Sequence, residues 1–249
     1  MVSGTLGALF SRPKPEEIQL ISVEQRLEAY WDIRVHLRTV YERNRTYSIP
    51  LSGPEIDHVS LLGQDVPVTK NKKDEVSLSL DGVEHCVEES QHKFTFDGEG
   101  TQADMSQYQD FPKTEIVDLE SFAPEGVLVV PPKALASTVV RSVLSEVIKP
   151  VDGQIIHEER VDIEGLDINF RPVYAMEYHW VPKDKHEVLE FDALTGEIIG
   201  RGEKMADQIK GVLTPELLFD VTAVAAGALV PGGSAAVKLV KVAYDHTKK

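Results

Sequence analysis

Cysteine is nearly absent from this sequence, which holds a single one, Cys86, among 249 residues. No disulfide can therefore form within the chain, and a reducing compartment is its natural setting. Long apolar runs are also missing. The stretch nearest to the roughly 20 apolar residues of a membrane-spanning helix is 211–230, and it contains Glu216 and Asp220. Since no basic segment precedes the short apolar run at the N-terminus, we expect no signal peptide and a cytoplasmic location.

The motifs of common cofactor-binding and hydrolytic proteins are missing too. The chain has no GxxxxGK[ST] or GxGxxG phosphate loop, no HExxH, no CxxC and no GxSxG. Basic charge is scarce, because 26 lysines and arginines face 41 aspartates and glutamates, giving a net charge of −15. This balance opposes binding to a nucleic-acid backbone. We therefore expect no catalytic residue, no metal and no cofactor, and we expect another protein or self-association as the partner.

The most strongly patterned stretch is 170–197. Apolar residues two apart predict a strand with one buried face, which consists of Phe170, Tyr174, Met176, Tyr178 and Trp180. Pro182 and the charged residues after it predict a chain reversal, and the run around Phe191 predicts the return strand. We predict a β-hairpin whose aromatic row packs as core under a helix. The alternative is a binding surface, with these candidates: Tyr174, Glu177, Tyr178, His179 and Trp180.

The first half of the chain shows the same alternation of apolar and polar residues. Ser22 and Gln25 have the capping-box spacing of a short helix over 22–28. From Trp31 to Leu37 every second residue is apolar, and the same alternation resumes at Tyr47. The charged and polar residues between them, Glu42–Arg45, have the character of a turn. This pattern predicts a hairpin over 30–51. Turn residues then separate short predicted strands at 58–62, 66–68, 76–80 and 92–96.

Helical signals come later in the chain. The apolar stripe of 133–148, between Pro132 and Pro150, predicts an amphipathic helix. The tail predicts a helical hairpin, with helices over 214–229 and 234–246. The expected fold is α+β, with antiparallel β-meander or sandwich halves, one central amphipathic helix and a C-terminal helical hairpin. The expected organisation is an arm (1–20), a β-rich half (21–100), a linker (101–125), an α+β half (126–204) and a helical tail (205–249).

The second half resembles a PepSY-type module over residues 133–202. In such modules a helix packs on a hairpin, and the second strand ends in an Asp-x-x-Thr-Gly-Glu-hydrophobic turn. The corresponding residues here are Asp192, Thr195, Gly196, Glu197 and Ile198. About twenty residues separate the helix from the hairpin, a departure from the usual pattern. The resemblance implies a binding or inhibitory module and no catalysis.

Two further sets of residues have side chains of the types that bind metals or act in acid–base catalysis. His85, Cys86, Glu89 and His92 are metal-ligand types, but a strand would point His85 and Cys86 to opposite faces. Acid–base groups are scattered over the second half, at His157, Glu158, Glu159, Glu177, His179, His186 and Glu187.

The sequence therefore favours a non-catalytic binding or assembly module. It leaves two alternatives open. One is a peripheral membrane protein tethered by 211–249, and the other is a metal-dependent or acid–base hydrolase that uses the scattered His and Glu residues.

Overall fold

The computed structural model describes residues 13–202 and 236–239. Within these residues the chain forms one sheet of nine strands and one α-helix. The strands are β1 (Ile18–Leu51), β2 (His58–Leu61), β3 (Gln64–Lys70), β4 (Val76–Phe96), β5 (Leu128–Val130), β6 (Ile155–Trp180), β7 (Lys185–Asp192), β8 (Ile198–Gly202) and β9 (Ala236–Leu239). The helix, α1 (Ala136–Val147), lies between β5 and β6.

Two long strands, β1 and β6, form the centre of the sheet. The hydrogen-bonded order is β2-β3-β4-β1-β6-β7-β8, with every neighbouring pair antiparallel. The register between β1 and β6 shifts at three places, after Leu20, Arg34 and Val40 of β1. Such bulges increase the local twist of a sheet. One strand of 34 residues thereby joins the predicted N-terminal and C-terminal halves.

Two short parallel strands occupy the edges that the antiparallel partners leave open. β5 pairs with β1 at Arg26–Glu28, just before the β4 pairing begins at Trp31. In the same way β9 pairs with β6 at Arg160–Ile163, while β7 pairs with β6 from Val173 onward. Each central strand is therefore covered on its outer side by two strands in succession.

The main core lies between α1 and the middle of the sheet. Trp31, Ile33 and Val35 of β1 alternate toward the helix, as a period of two requires, and each is at most 1% exposed. The helix presents Val139, Val140, Val143 and Leu144 to this surface. The indole Nε1 of Trp31 donates to the Ala134 carbonyl at 3.0 Å, so the largest core side chain also anchors the entry to the helix.

The opposite face of the sheet is partly covered by the segment that follows β4. Met105 and Tyr108 are buried against Tyr30, and the two tyrosine rings lie 5.6 Å apart. This segment falls in the predicted linker 101–125. It has no α-helix or long strand, yet it covers the middle of the sheet on the side away from α1.

The α+β prediction is wrong, because the described residues form a mainly β structure with a single α-helix. The first helix of the predicted C-terminal hairpin, 214–229, lies outside the described residues. The second, 234–246, is wrong where it is described, since 236–239 is strand β9. The short helix at 22–28 is also wrong. Those residues belong to β1, whose pairing with β6 outweighs the local capping signal.

The predicted hairpin over 30–51 is wrong as well, because β1 continues through Glu42–Arg45 without turning. Charged side chains there have cross-strand partners, so the segment needs no turn to reach solvent. Arg43 and Arg45 both pair with Glu84 of β4. Two of the predicted short strands, 76–80 and 92–96, are likewise the ends of one strand, β4.

Two predictions are confirmed. The amphipathic helix exists, at 136–147, and the second hairpin exists as β6 and β7 joined at Val181–Asp184. Among the described residues no helix combines the length and the apolar character needed to cross a membrane.

Candidate functional site

The candidate site is the tip of the β6–β7 hairpin. A 3-10 turn at Val181–Lys183, with Pro182 in its first turn, is followed by Asp184 in the left-handed region at φ 47°. This connection sets the register so that His179 lies directly opposite His186. Side chains opposite each other on an antiparallel pair have Cβ atoms about 5 Å apart. The fold therefore brings together two imidazoles that are seven residues apart in sequence.

Three ligand-type side chains converge at this tip. His179 Nε2 lies 2.9 Å from Asp184 Oδ1, and the two imidazole rings are stacked with their centroids 4.3 Å apart. One ligand atom from each of His179, Asp184 and His186 lies within 4.8 Å of the other two. The group is open to solvent, because the Asp184 side chain is 91% exposed and that of His186 is 50% exposed.

Glu177 contacts this group through a hydrogen bond with His186. Its Oε1 lies 3.1 Å from His186 Nδ1, and its Oε2 accepts a hydrogen bond of 2.9 Å from the Ser22 hydroxyl. A carboxylate is an acceptor only, so His186 carries its proton on Nδ1 and leaves Nε2 unprotonated in its neutral form. The Glu177 side chain is only 13% exposed, which holds it more firmly than the residues at the tip.

Contacts from two directions hold the neighbouring turn. Trp180 Nε1 donates to Glu17 Oε2 at 3.0 Å, and this bond is the main cause that lowers the pKa of Glu17. The Lys183 ammonium lies 4.4 Å from the centroid of the Trp180 ring, a cation–π contact. The N-terminal end of β1 and the turn thus support each other at one end of the sheet.

The aromatic row lies on the face opposite Glu177 and His179, the same face on which α1 packs. The prediction that this row packs under the helix is wrong beyond Phe170. Phe170 contacts the core and also the ring of Phe122, whereas the core does not reach Tyr174. The helix lies instead over Trp31, Ile33 and Val35. Sequence spacing identified the helix and the aromatic strand, but it could not show that the helix packs over Trp31, Ile33 and Val35.

We use the name aromatic face for the part of this surface that α1 does not cover, formed by Ile18, Leu20, Val23, Tyr174, Met176, Tyr178, Trp180, Leu189 and Phe191. The four β6 residues and the two β7 residues are half-buried. Their β1 neighbours are more exposed, with Ile18 at 37%, Leu20 at 53% and Val23 at 49%. Cross-strand pairing places Val23 beside Met176, and Met176 beside Leu189. The result is a largely apolar surface that crosses three strands and includes two polar positions, Gln25 opposite Tyr174 and Glu187 opposite Tyr178.

A buried charge cluster lies on the other face of the same strands. Arg26 is 1% exposed and bonds to Glu24 and, at 2.9 Å, to Glu190. Arg171 donates to Glu28 at 3.1 Å and to the Tyr108 hydroxyl at 3.3 Å. Burial, followed by the nearby Glu28 carboxylate, raises the pKa of Glu190, although Arg26 and Arg171 act in the opposite sense.

Asp192 links this cluster to the turn after β7. It is 2% exposed, accepts a hydrogen bond from the Tyr108 hydroxyl, and accepts the amides of Leu194 and Thr195 at 2.8 Å each. Gly196 closes the turn at φ 75°, a conformation that glycine adopts without steric cost. The turn that motivated the PepSY comparison is therefore built around a buried carboxylate.

The other candidates from the sequence are spread over the sheet. His85 and His157 both contact Oε1 of Glu42, at 3.1 and 2.9 Å. Glu89 and Glu158 pair with Arg38. These are neighbours on a broad, solvent-facing network of ion pairs. The best-formed concavity of the described residues is shallow, about 260 Å³, and is lined by Lys93, Phe94, Thr95, Gln102, Ala103 and Asp104.

Comparison of the chain with known protein families, curated proteins and solved structures found no match.

Sequence reasoning named His179, His186 and Glu177 separately but did not bring them together, and it did not consider Asp184 as a partner. One signal in the sequence points to the group. His179 and His186 lie on the two sides of the predicted turn that begins at Pro182, and residues that flank a hairpin turn can face each other across it. Arg26 carried no comparable signal, because it fell within the short helix predicted over 22–28, where an arginine is ordinarily assigned to the solvent-facing side.

Proposed function

We propose that this protein is a non-catalytic assembly module that associates with a second copy of itself through the aromatic face. The observation that carries the proposal is the position of α1, which covers the middle of the sheet and leaves the aromatic end of it half-exposed. Contiguous exposed apolar patches on a folded domain mark interaction surfaces. Tyrosine, tryptophan and methionine are also the side chains that interfaces favour.

The shape of this end of the sheet supports self-association. A largely apolar face can pair with a copy of itself about a two-fold axis, since an isologous interface needs only one self-complementary patch. The net charge of −15 opposes the contact over long range, because two acidic chains repel each other. Salt screens that repulsion but leaves the apolar attraction in place, so the association is stronger at higher ionic strength.

A binding role also fits the described polar groups better than a catalytic one does. Glu177 is already engaged by His186 and Ser22, and the acid–base residues near Glu158 belong to ion pairs on an open sheet surface. The PepSY resemblance supports the same role. It depends on the sequence of the Asp192–Glu197 turn, and such modules are generally binding or inhibitory.

The test replaces one exposed residue of the aromatic face. We expect Leu20→Glu to weaken self-association about 10- to 100-fold, because a carboxylate would have to be desolvated in the apolar contact. Mass photometry and sedimentation equilibrium of the full chain, at low and high salt, measure the effect.

The matched control is Val87→Glu on β4, since Val87 is 58% exposed and lies far from the aromatic face. This control should associate like the unmodified chain. A chain that stays monomeric at every salt and protein concentration would overturn the proposal. Equal weakening by both substitutions would also overturn it, because the effect would then be one of charge alone.

A further inference from the structure

We propose that His179, Asp184 and His186 bind one divalent transition-metal ion of the zinc class. This inference concerns the polar side of the hairpin tip and does not depend on the proposed self-association. Three features of the structure carry it. The backbone brings the two imidazoles together, a carboxylate from the turn already contacts one of them, and a second carboxylate orients the other.

The distances suit a metal ion once side-chain rotations bring the two imidazoles out of their stacked arrangement, so that a ring nitrogen of each faces the ion. Zinc–nitrogen and zinc–oxygen bonds are about 2.0–2.2 Å, so the ligand atoms of a tetrahedral site lie about 3.3 Å from one another. His179 Nε2 and Asp184 Oδ1 are already 2.9 Å apart, and the third ligand atom lies within 4.8 Å of both. An ion would take the place of the proton that now links His179 to Asp184. Because Asp184 and His186 are exposed, they can rotate without disturbing the core.

Glu177 supplies the support that metal-bound histidines ordinarily have. A ligating imidazole usually donates its other ring N–H to a carboxylate or carbonyl, which fixes the tautomer and the ring orientation. Here His186 Nδ1 lies 3.1 Å from Glu177 Oε1, and Glu177 is held in turn by Ser22. This arrangement directs His186 Nε2 to the ion, and it exists before any metal binds.

The ligand types select the class of metal. Two imidazole nitrogens and one carboxylate oxygen suit zinc and its neighbours cobalt, nickel and copper, whereas magnesium and calcium prefer ligand sets made entirely of oxygen. Three protein ligands leave a coordination position for water or for a side chain from another molecule.

The Glu42 group is a natural comparison within the same chain. It also places two histidines around a carboxylate, but His85 and His157 both approach the same oxygen, Oε1 of Glu42. That oxygen occupies the space that an ion would need, and the three residues do not form a group in which all ligand atoms lie close together. We therefore expect the hairpin tip, and not the Glu42 group, to bind the metal.

The experiment is a titration of the metal-free full chain with zinc chloride, followed by isothermal calorimetry. We expect one saturable site per chain. His186→Gln and His179→Gln should each weaken it about 100-fold or more, and Glu177→Gln should weaken it about 10- to 100-fold, the range typical for partners of metal-bound histidines. Cobalt provides an independent readout, because a site with fewer than six ligands gives a strong visible absorption band that His186→Gln should remove.

Two control variants, His157→Gln and His58→Gln, should bind zinc like the unmodified chain. His58 is an exposed histidine beside Asp57, at 3.4 Å, and it has no second imidazole near it. Absence of saturable binding would overturn the proposal. Binding that survives the double substitution of His179 and His186, or that is lost in His157→Gln, would also overturn it.

Discussion

Replacing Arg26 by methionine should lower the free energy of unfolding by about 3–5 kcal/mol, the usual cost of removing one partner from a buried ion pair. Methionine preserves the apolar stem of the side chain, so the loss comes from the charge. Arg26 is 1% exposed and is the cation that contacts both Glu24 and Glu190. Without it, Glu190 would remain in a half-buried site beside Glu28 with Arg171 as the nearest cation. Chemical denaturation followed by circular dichroism measures the change.

Arg34→Met on the same strand is the matched control for this prediction. Arg34 pairs with Asp167 at 3.1 Å, but both side chains are well exposed, at 49% and 39%. Exposed pairs contribute about 0–1 kcal/mol. A loss from Arg26→Met as small as that from Arg34→Met would show that the charge cluster is not effectively buried. Adding Glu190→Gln to Arg26→Met should recover part of the loss, because it removes the unpaired carboxylate.

The loss of unfolding free energy caused by Arg26→Met should depend on pH, in a direction that follows from the pKa of Glu190. The pKa of Glu190 is raised above its usual 4.5, so the folded state takes up the proton before the unfolded state does. The cost of an ionised Glu190 is therefore fully present above its folded pKa and is relieved as the pH falls toward 4.5. Removal of Arg26 raises that pKa further. The difference in unfolding free energy between Arg26→Met and the unmodified chain should therefore become smaller as the pH is lowered from neutral toward about pH 5.

Strand alternation and turn residues were enough to predict the β6–β7 hairpin, because Pro182 and three charged residues interrupt two apolar runs at one point. The same reasoning failed at Glu42–Arg45. In the sequence the charged residues there resemble a turn. In the sheet they form ion pairs with the neighbouring strand, and Arg43, for example, pairs with Glu84. A local sequence pattern cannot distinguish a charged residue that lies in a turn from one that lies in a strand and pairs with a charge on the neighbouring strand.

The candidate site shows a related limit. Glu177 and His179 lie on the face opposite the aromatic row, as the alternation of side chains along any strand requires. Their connection to Asp184 depended on the left-handed conformation of that residue, which the sequence does not specify. The burial of Tyr30 depended on Tyr108, a residue of the predicted linker that covers the sheet from about 80 residues away along the chain.

Asp192→Ala should also be strongly destabilising, by about 3 kcal/mol, because it leaves the buried Tyr108 hydroxyl and two part-buried amides without their acceptor. Asp192 accepts from the Tyr108 hydroxyl and from the amides of Leu194 and Thr195. The matched control is Asp97→Ala. Asp97 accepts two amides in the same manner, from Glu99 at 3.0 Å and Thr101 at 2.8 Å, but in an exposed turn where water can replace the carboxylate. We expect a loss of about 1 kcal/mol or less from the control.

Asp192→Asn separates the charge of this carboxylate from its hydrogen bonds. Burial disfavours the ionised form, but the bonds from Tyr108, Thr195 and Leu194 outweigh burial, and the pKa of Asp192 lies below its usual 3.8. A lowered pKa means that the stabilisation is fully present above pH 3.8 and disappears as the pH falls through the folded pKa. The unmodified chain should therefore be more stable than Asp192→Asn by about 1 kcal/mol at pH 7, and the difference should shrink as the pH is lowered from 3.8 toward 3. A difference that stays constant down to that pH would mean that the amide geometry, and not the charge, holds Tyr108 on the sheet.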